Sequence, residues 1–578
     1  MIPKEAHKPM RPILVAVLAL AVMPFTPGVV SSGQAQTTAR PTGPPSKIAQ
    51  ALERVDSRAL VDVLVQFHKP PGEDDHKKVR QKGGALKSRL HLIKAAAYSL
   101  PAAALRELAA NSNVRYISPD RPVRGHLHHA ASAVFAPLAW QYGWDGKGIG
   151  VAVIDSGINP APDLGAPGAS DTSRIVYTES FIGTDSDKFG HGTHVAGIVA
   201  SNGHNSNGLY KGIAPAAHLI NLKVLDSDGV GQDSVLIAAI QRAIELKSQY
   251  NIRVMNLSLG RPVEESYLLD PLCQAVEAAW KAGIVVVTAA GNYGRDNTAG
   301  TEGYATIASP ANDPYVITVG AMKTMDTHLR GDDLIASYSS KGPSLLDHVV
   351  KPDLVAPGNL MVSTLGRSTA LYANDANNAV PISSYNSQTN SSAWSSSYYK
   401  LSGTSMAAPV VSGAVALLLQ KQPEMTPDQV KARLMLTASK TFPAYSIATD
   451  PETGQTFRSQ YDIFTVGAGY LDVAAALARS ELAAGSALSP IAHFDSATGL
   501  VYLVSDGTAV WGSGAVWGHG AVWGHSVLLG AAGAVWGHTA IWGASTTLGF
   551  GAVWGHGAVW GHQSGAAMAL NALIHGER

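Results

Sequence analysis

Three short segments hold the residues best suited to chemistry: a serine before a buried helix, an aspartate closing an apolar strand, and a histidine heading a second helix. Gly403-Thr404-Ser405-Met406-Ala407-Ala408-Pro409 runs into an apolar stretch from Val410 to Leu419 that reads as a buried helix. Ser405 therefore falls at a helix N-terminus, where free N–H groups and the positive end of the dipole favour developing negative charge. Pro409 is expected in the first helical turn, where its missing N–H costs nothing. By itself the segment reads equally well as an ordinary capped core helix. Gly150-Val151-Ala152-Val153-Ile154-Asp155-Ser156-Gly157-Ile158 predicts a strand buried on both faces, as in a parallel sheet, that ends at Asp155. A carboxylate there lies in the crevice at the carboxyl edge of the sheet, where open α/β folds place their sites.

The third segment, Gly190-His191-Gly192-Thr193-His194-Val195-Ala196-Gly197, carries small residues suited to a closely packed helix with His191 leading it. The His-x-x-His pair also suggests zinc. Helical zinc pairs sit at i, i+4 with a glutamate between them, however, and neither condition holds here. No metal ligand is therefore assigned.

Taken in chain order, the segments around Asp155, His191 and Ser405 resemble those of the subtilisin-like serine proteases, the subtilase or peptidase S8 family. That order of triad residues is known from subtilisin itself. The resemblance extends from about Trp140 to about Leu477. The Lys351-Pro352-Asp353-Leu354-Val355-Ala356-Pro357-Gly358 block and Gly467-Ala468-Gly469-Tyr470-Leu471-Asp472-Val473 are similar to an AprX-like bacterial subgroup. It implies an α/β fold, a subtilisin-like parallel sheet with helices on both faces. It also implies an Asp-His-Ser triad: His191 as general base and then acid, Asp155 fixing its tautomer, Ser405 as nucleophile forming an acyl-enzyme. The strand-like Val285-Val286-Val287-Thr288-Ala289-Ala290-Gly291-Asn292 then supplies Asn292 to the oxyanion hole.

The same resemblance suggests how an extended peptide would bind, by adding to strand edges. Ser258, Leu259 and Gly260 form one candidate edge, with Gly229 and Gly231 facing it. Ala289 and Gly291 would line a small, uncharged S1 pocket, with Ala308 near its base. Broad specificity with large apolar P1 residues is expected, and no acidic pocket floor for lysine or arginine is apparent.

The chain divides by composition into four parts. Residues 1–35 carry Lys4, Lys8 and Arg11, an apolar run from Ile13 to Met23, and Gly33 and Ala35 at the −3 and −1 spacing of a Sec-type signal peptide. Secretion, extracellular or periplasmic, is expected, without a stable membrane anchor. Residues 36–130 show a strand at Leu60 to Phe67, a basic helix-like stretch from Lys77 to Lys94, a helix over Leu100 to Leu108 and a strand at Val114 to Ile117. This small α+β unit is similar to the inhibitory (I9-like) pro-segment of subtilases, an intramolecular inhibitor and folding aid. A permanent N-terminal domain is the other reading. Residues 131–480 make the catalytic domain and 481–578 a C-terminal extension.

In that extension variants of Ala-Val-Trp-Gly-His place tryptophans at 511, 517, 523, 536, 542, 554 and 560, and histidines follow at 519, 525, 538, 556 and 562. The even period keeps most tryptophans on one face of an extended chain. Self-packing, surface or polymer binding and metal binding all remain open for it.

Formal charge over the 578 residues is zero, yet the pro-segment holds an excess of about eight Lys and Arg over Asp and Glu. Its removal leaves an acidic remainder, so nucleic acid is not an indicated partner. Protein or peptide substrates are, and the enzyme is expected to be a monomer needing no cofactor for catalysis. Structural calcium is common in the family, but the loop from Ser201 to Gly208 lacks the carboxylates a tight site prefers. The single cysteine, Cys273, cannot form an internal disulfide and should pack as a small apolar residue. A non-catalytic subtilase-like protein, binding through its repeat tail, is the competing reading of function.

Overall fold

The structure is a computed structural model. It describes residues 47–49, 52, 55–57, 59–90, 93–119, 129–166, 171–298, 300–386, 393–450, 453–495, 500–504 and 571–577. The signal-like segment and the Trp-Gly-His repeats lie outside the described residues. The chain forms two compact units, Met1–Val123 and Arg124–Arg578.

In the first unit, strands β1 (Leu60–Phe67), β2 (Ala85–Leu90), β3 (Ala95–Pro101) and β4 (Val114–Pro119) make an antiparallel sheet in the order β2-β3-β1-β4. Helices α1 (Glu73–Gln81) and α2 (Ala104–Ala109) complete it. Val63, Val65 and Phe67 alternate inward along β1 and meet Tyr98, Leu100 and Ile117 in the unit's core. The basic stretch is not one helix. Gly83, at φ +78°, turns the chain after α1, and a Cβ on Gly84 would lie 2.6 Å from Val79. Beyond this turn the chain pairs as β2 and β3, because Ala95, Ala96 and Ala97 are buried against β1. Alanine carries no strand preference, so here tertiary pairing sets the element.

The second unit is built on an eight-stranded sheet. Strands β5 (Gly150–Asp155), β6 (Ile175–Ser180), β7 (His218–Lys223), β8 (Ile252–Leu257), β9 (Val285–Ala289), β10 (Ile317–Lys323) and β11 (Leu334–Ile335) follow the order β11-β10-β9-β8-β5-β7-β6, and β12 (Leu354–Pro357) also pairs with β10. The pairings are parallel except that of β10 with β11, so the sheet is mixed rather than wholly parallel. All six residues of β5 are buried, as expected for a strand covered on both faces.

Helices α3 (His191–Ala200) and α6 (Thr404–Lys421) pack together against one face, and α4 (Asp233–Leu246) and α5 (Pro271–Lys281) against the other. The chain passes from β5 to β6 and β7 on one side, then crosses to β8, β9 and β10 on the other. Asp155 ends the strand at this reversal, where such sheets leave a crevice.

Pro409 lies inside α6, not in its first turn, because the helix already begins at Thr404. Cys273 is fully buried on α5 beside Ser309 and Asn312. Burial pushes its thiol far up, which keeps it protonated and inert.

Candidate active site

Gly190, at φ +105°, turns the chain into α3 and sets His191 at its head. Gly192 lets the helix press on the loop after β5, since a Cβ there would meet the Gly157 carbonyl at 2.2 Å. His191 Nδ1 lies 2.8 and 3.0 Å from the two carboxylate oxygens of Asp155, and Asp155 is completely buried. A carboxylate can only accept, so Nδ1 carries the hydrogen and Nε2 is left to act as a base. Burial opposes charging of this ring, but the Asp155 carboxylate and, more weakly, Asp187 outweigh it and hold its pKa above the ordinary imidazole value.

The sequence reading missed Asp187. It is buried, and it accepts from Gly190 N, Thr193 N, Thr193 Oγ1 and Ser156 Oγ at 2.6–2.9 Å. It thereby satisfies the loose donors at the start of α3 and ties that helix to the residue after Asp155. Asp187 lies three residues before the N-cap position Gly190, so no local capping signal marks it in the sequence. His194, three residues on, faces the other way. Its Nε2 is 3.1 Å from the Met361 carbonyl and 3.0 Å from that of Tyr399, and burial pushes its pKa down to about 3. A nitrogen donating to two carbonyls is not a metal ligand, which leaves the zinc reading without support.

Ser405 is the second residue of α6 and shares one cleft with His191. Gly403, at φ +146°, brings the chain past Asn292, where a Cβ would sit 3.0 Å from the amide nitrogen. Asn292 Oδ1 accepts from Thr404 N at 2.9 Å and Thr404 Oγ1 at 3.1 Å. Thr404 Oγ1 in turn accepts from Gly291 N. With its oxygen committed, Asn292 has its NH₂ as the remaining group, a donor beside the first-turn N–H of Ser405.

Pro409 supplies the other constraint. In a helix the N–H of residue 409 would bond the carbonyl of residue 405, and proline has none. That carbonyl accepts instead from Ser258 Oγ at 2.8 Å, and Ser258 is itself held by Asn256 Nδ2 at 2.9 Å. Ser258 thus anchors the serine helix with its side chain.

The cleft measures about 530 Å³, and Ser258, Leu259 and Gly260 line it together with Gly229 and Gly231. Ala289, Gly291, Asn292 and Ala308 also face it, so every residue read as a subsite candidate borders the same space as Ser405. Its acids, Asp228 and Asp233, lie beside Gly229 and Gly231, and Asp233 is paired with Arg261. The loop from Ser201 to Gly208 spends its polar groups internally: Asn202 donates to the carbonyls of Pro162, Gly165 and Ala166, and Asn205 donates to Asp163. Among the described residues no group of three His, Cys, Asp or Glu side chains converges as a metal site.

An imidazole oriented by a buried carboxylate, a helix-borne serine in its cleft and an adjacent amide on an α/β sheet define a serine-hydrolase class of site. Residues 146–462 match the subtilase family, Peptidase_S8. The chain belongs to that family. It is 37% identical to the serine protease AprX of Bacillus subtilis over 66% of this chain and 83% of that one. Subtilisin E of Bacillus subtilis is 34% identical over 62% of this chain and 80% of its own. A subtilisin of Bacillus pumilus is 36% identical over 54% and 91%. Serine endopeptidase activity follows from this membership. No helix among the described residues is long and apolar enough to cross a membrane.

Proposed function

We propose that the chain is a secreted serine endopeptidase that cuts peptide bonds through Asp155, His191 and Ser405, and that it is made as a zymogen restrained by its N-terminal segment. The observation that carries this reading is the buried Asp155–His191 pair opening on the cleft that holds Ser405. In the first half-reaction His191 Nε2 takes the Ser405 proton as Oγ attacks the scissile carbonyl. The imidazolium, stabilised by Asp155, then gives that proton to the leaving amine. The Asn292 amide and the Ser405 N–H stabilise the oxyanion, and water repeats the sequence to release the acyl group.

Two glycine-bearing edges and a small-residue pocket favour extended substrates with large apolar P1 residues. A fluorophosphonate should label Ser405 stoichiometrically, and Ser405→Ala should abolish both labelling and release of residues 36–130. Labelling at another residue, or pure Ser405→Ala protein that still loses this segment, would refute the reading. Faster cleavage after arginine than after phenylalanine or leucine would refute the P1 preference alone.

A further inference from the structure

The last described residues, 571–577, lie beyond the repeats, yet they are built into the second unit. Ala572, Leu573, Ile574 and Glu577 are all buried. Here the contacts amount to a receptor.

Asn359 reads the backbone of Glu577 in both directions: Nδ2 donates to its carbonyl at 2.7 Å, and Oδ1 accepts from its N–H at 2.8 Å. The Glu577 side chain is only 1% exposed. It meets Lys323 Nζ at 2.5 Å and Arg295 Nη2 at 3.3 Å, and accepts from Ser337 N and Oγ at 2.7 and 2.6 Å. Burying a carboxylate is costly unless cations and donors surround it, and this one has both. Lys323 is 5% exposed and Glu577 is its ion-pair partner. Upstream, Asn378 donates to the Ile574 carbonyl and Ser402 N donates to the Leu573 carbonyl at 2.9 Å. Ser402 is three residues before Ser405, and Leu573 lines the same cleft as His191, Asn292 and Ser405.

We propose that the catalytic unit carries a binding site for a peptide segment anchored by a buried glutamate, filled in cis by residues 571–577, and that the bound segment screens the Ser405 cleft from substrate. Glu577 is the anchor and Leu573 the screening residue. Tethering raises the local concentration of the peptide, so a modest intrinsic affinity fills the site. A substrate that needs the space beside Ser402 must displace Leu573. The screening half rests on the endopeptidase reading, whereas the docking half does not.

Docking is measured by calorimetry on a Ser405→Ala chain lacking residues 564–578, titrated with a synthetic peptide of residues 571–578. One-to-one binding is expected, weakened at least about tenfold when the peptide carries Glu577→Ala, as for loss of charge-assisted hydrogen bonds. A folded deletion chain that takes up no peptide overturns the proposal. Should that chain not fold, Leu573→Ala in the full chain, which keeps the Glu577 anchor, carries the test by kinetics.

Leu573→Ala should lower KM for an extended peptide substrate by about tenfold if one buried leucine is exchanged. An unchanged KM overturns the screening role. If no chain reacts with a fluorophosphonate, the endopeptidase reading fails while calorimetry still decides the docking.

Discussion

At the scale of single residues, the site works by committing one end of each polar group so that the other is aimed. Asp155 takes the Nδ1 hydrogen of His191, and Thr404 takes the oxygen of Asn292. Asn292→Ala removes the proposed oxyanion donor, together with the acceptor that Thr404 uses. It should lower kcat by ~10²–10³ with little change in KM, a magnitude known from subtilisin itself. Steady-state kinetics on a chromogenic peptide measures it. Asp155→Asn removes the charge that holds the His191 pKa up. Activity requires neutral His191 and so rises with pH through that pKa. The acid limb of the pH–rate profile should therefore move to lower pH, while the plateau falls by about 10⁴ as the tautomer is lost. An acid limb that stays in place would assign it to another group. Asp155 and Asn292 were legible because each closes an apolar strand beside a glycine, and His191 and Ser405 because each heads a small-residue or apolar helix behind a glycine. Asp187 and the hydroxyl of Ser258 were not, since their roles depend on contacts with neighbouring elements. Ser258 and Ser405 are 147 residues apart, and nothing local joins them.

At the scale of elements, the site depends on three strand and helix ends being held in one place. The strand β5 and the helices α3 and α6 could be read from periodicity and glycine placement. The alanine-rich strand β3 could not, because its pairing rather than its composition decides it. The lysine-bearing block before β12 shows a further device. Asp353 is fully buried and accepts from Lys351 Nζ and Thr318 N at 2.8 Å and from Ser489 Oγ at 2.5 Å, with Lys431 Nζ at 3.2 Å. It therefore binds β12, β10 and the helix α7 (Pro427–Thr437) together. Burial would raise its pKa, but the two ammonium groups outweigh that and lower it. A depressed carboxylate contributes stability that is present above the unfolded-state pKa and is lost as pH falls through the folded one. Asp353→Asn leaves buried lysines without their counter-charge and should cost about 3–5 kcal/mol. Urea unfolding at neutral pH measures the loss. The difference from wild type should shrink on acidification below the ordinary carboxylate range. A loss below about 1 kcal/mol, the scale of an exposed pair, would show that the network is not a structural tie.

At the scale of the whole molecule, the chain places segments with different duties on either side of one catalytic unit. By sequence the N-terminal segment is basic and the remainder of the chain acidic. The Trp-Gly-His repeats come after the catalytic unit in the chain, and Leu573, which lines the cleft, comes after the repeats. Removing residues 509–562 while keeping the terminal peptide therefore separates the repeats from both catalysis and docking. Such a chain should hydrolyse short chromogenic peptides with wild-type kcat and KM. Its rate on insoluble or surface-bound protein should fall if the aromatic ladder holds those substrates, since aromatic faces bind without demanding a sequence. Equal rates on soluble and insoluble protein would leave the repeats a self-packing appendage. Loss of short-peptide hydrolysis, with fluorophosphonate labelling of Ser405 also gone, would instead make the repeats part of the catalytic fold.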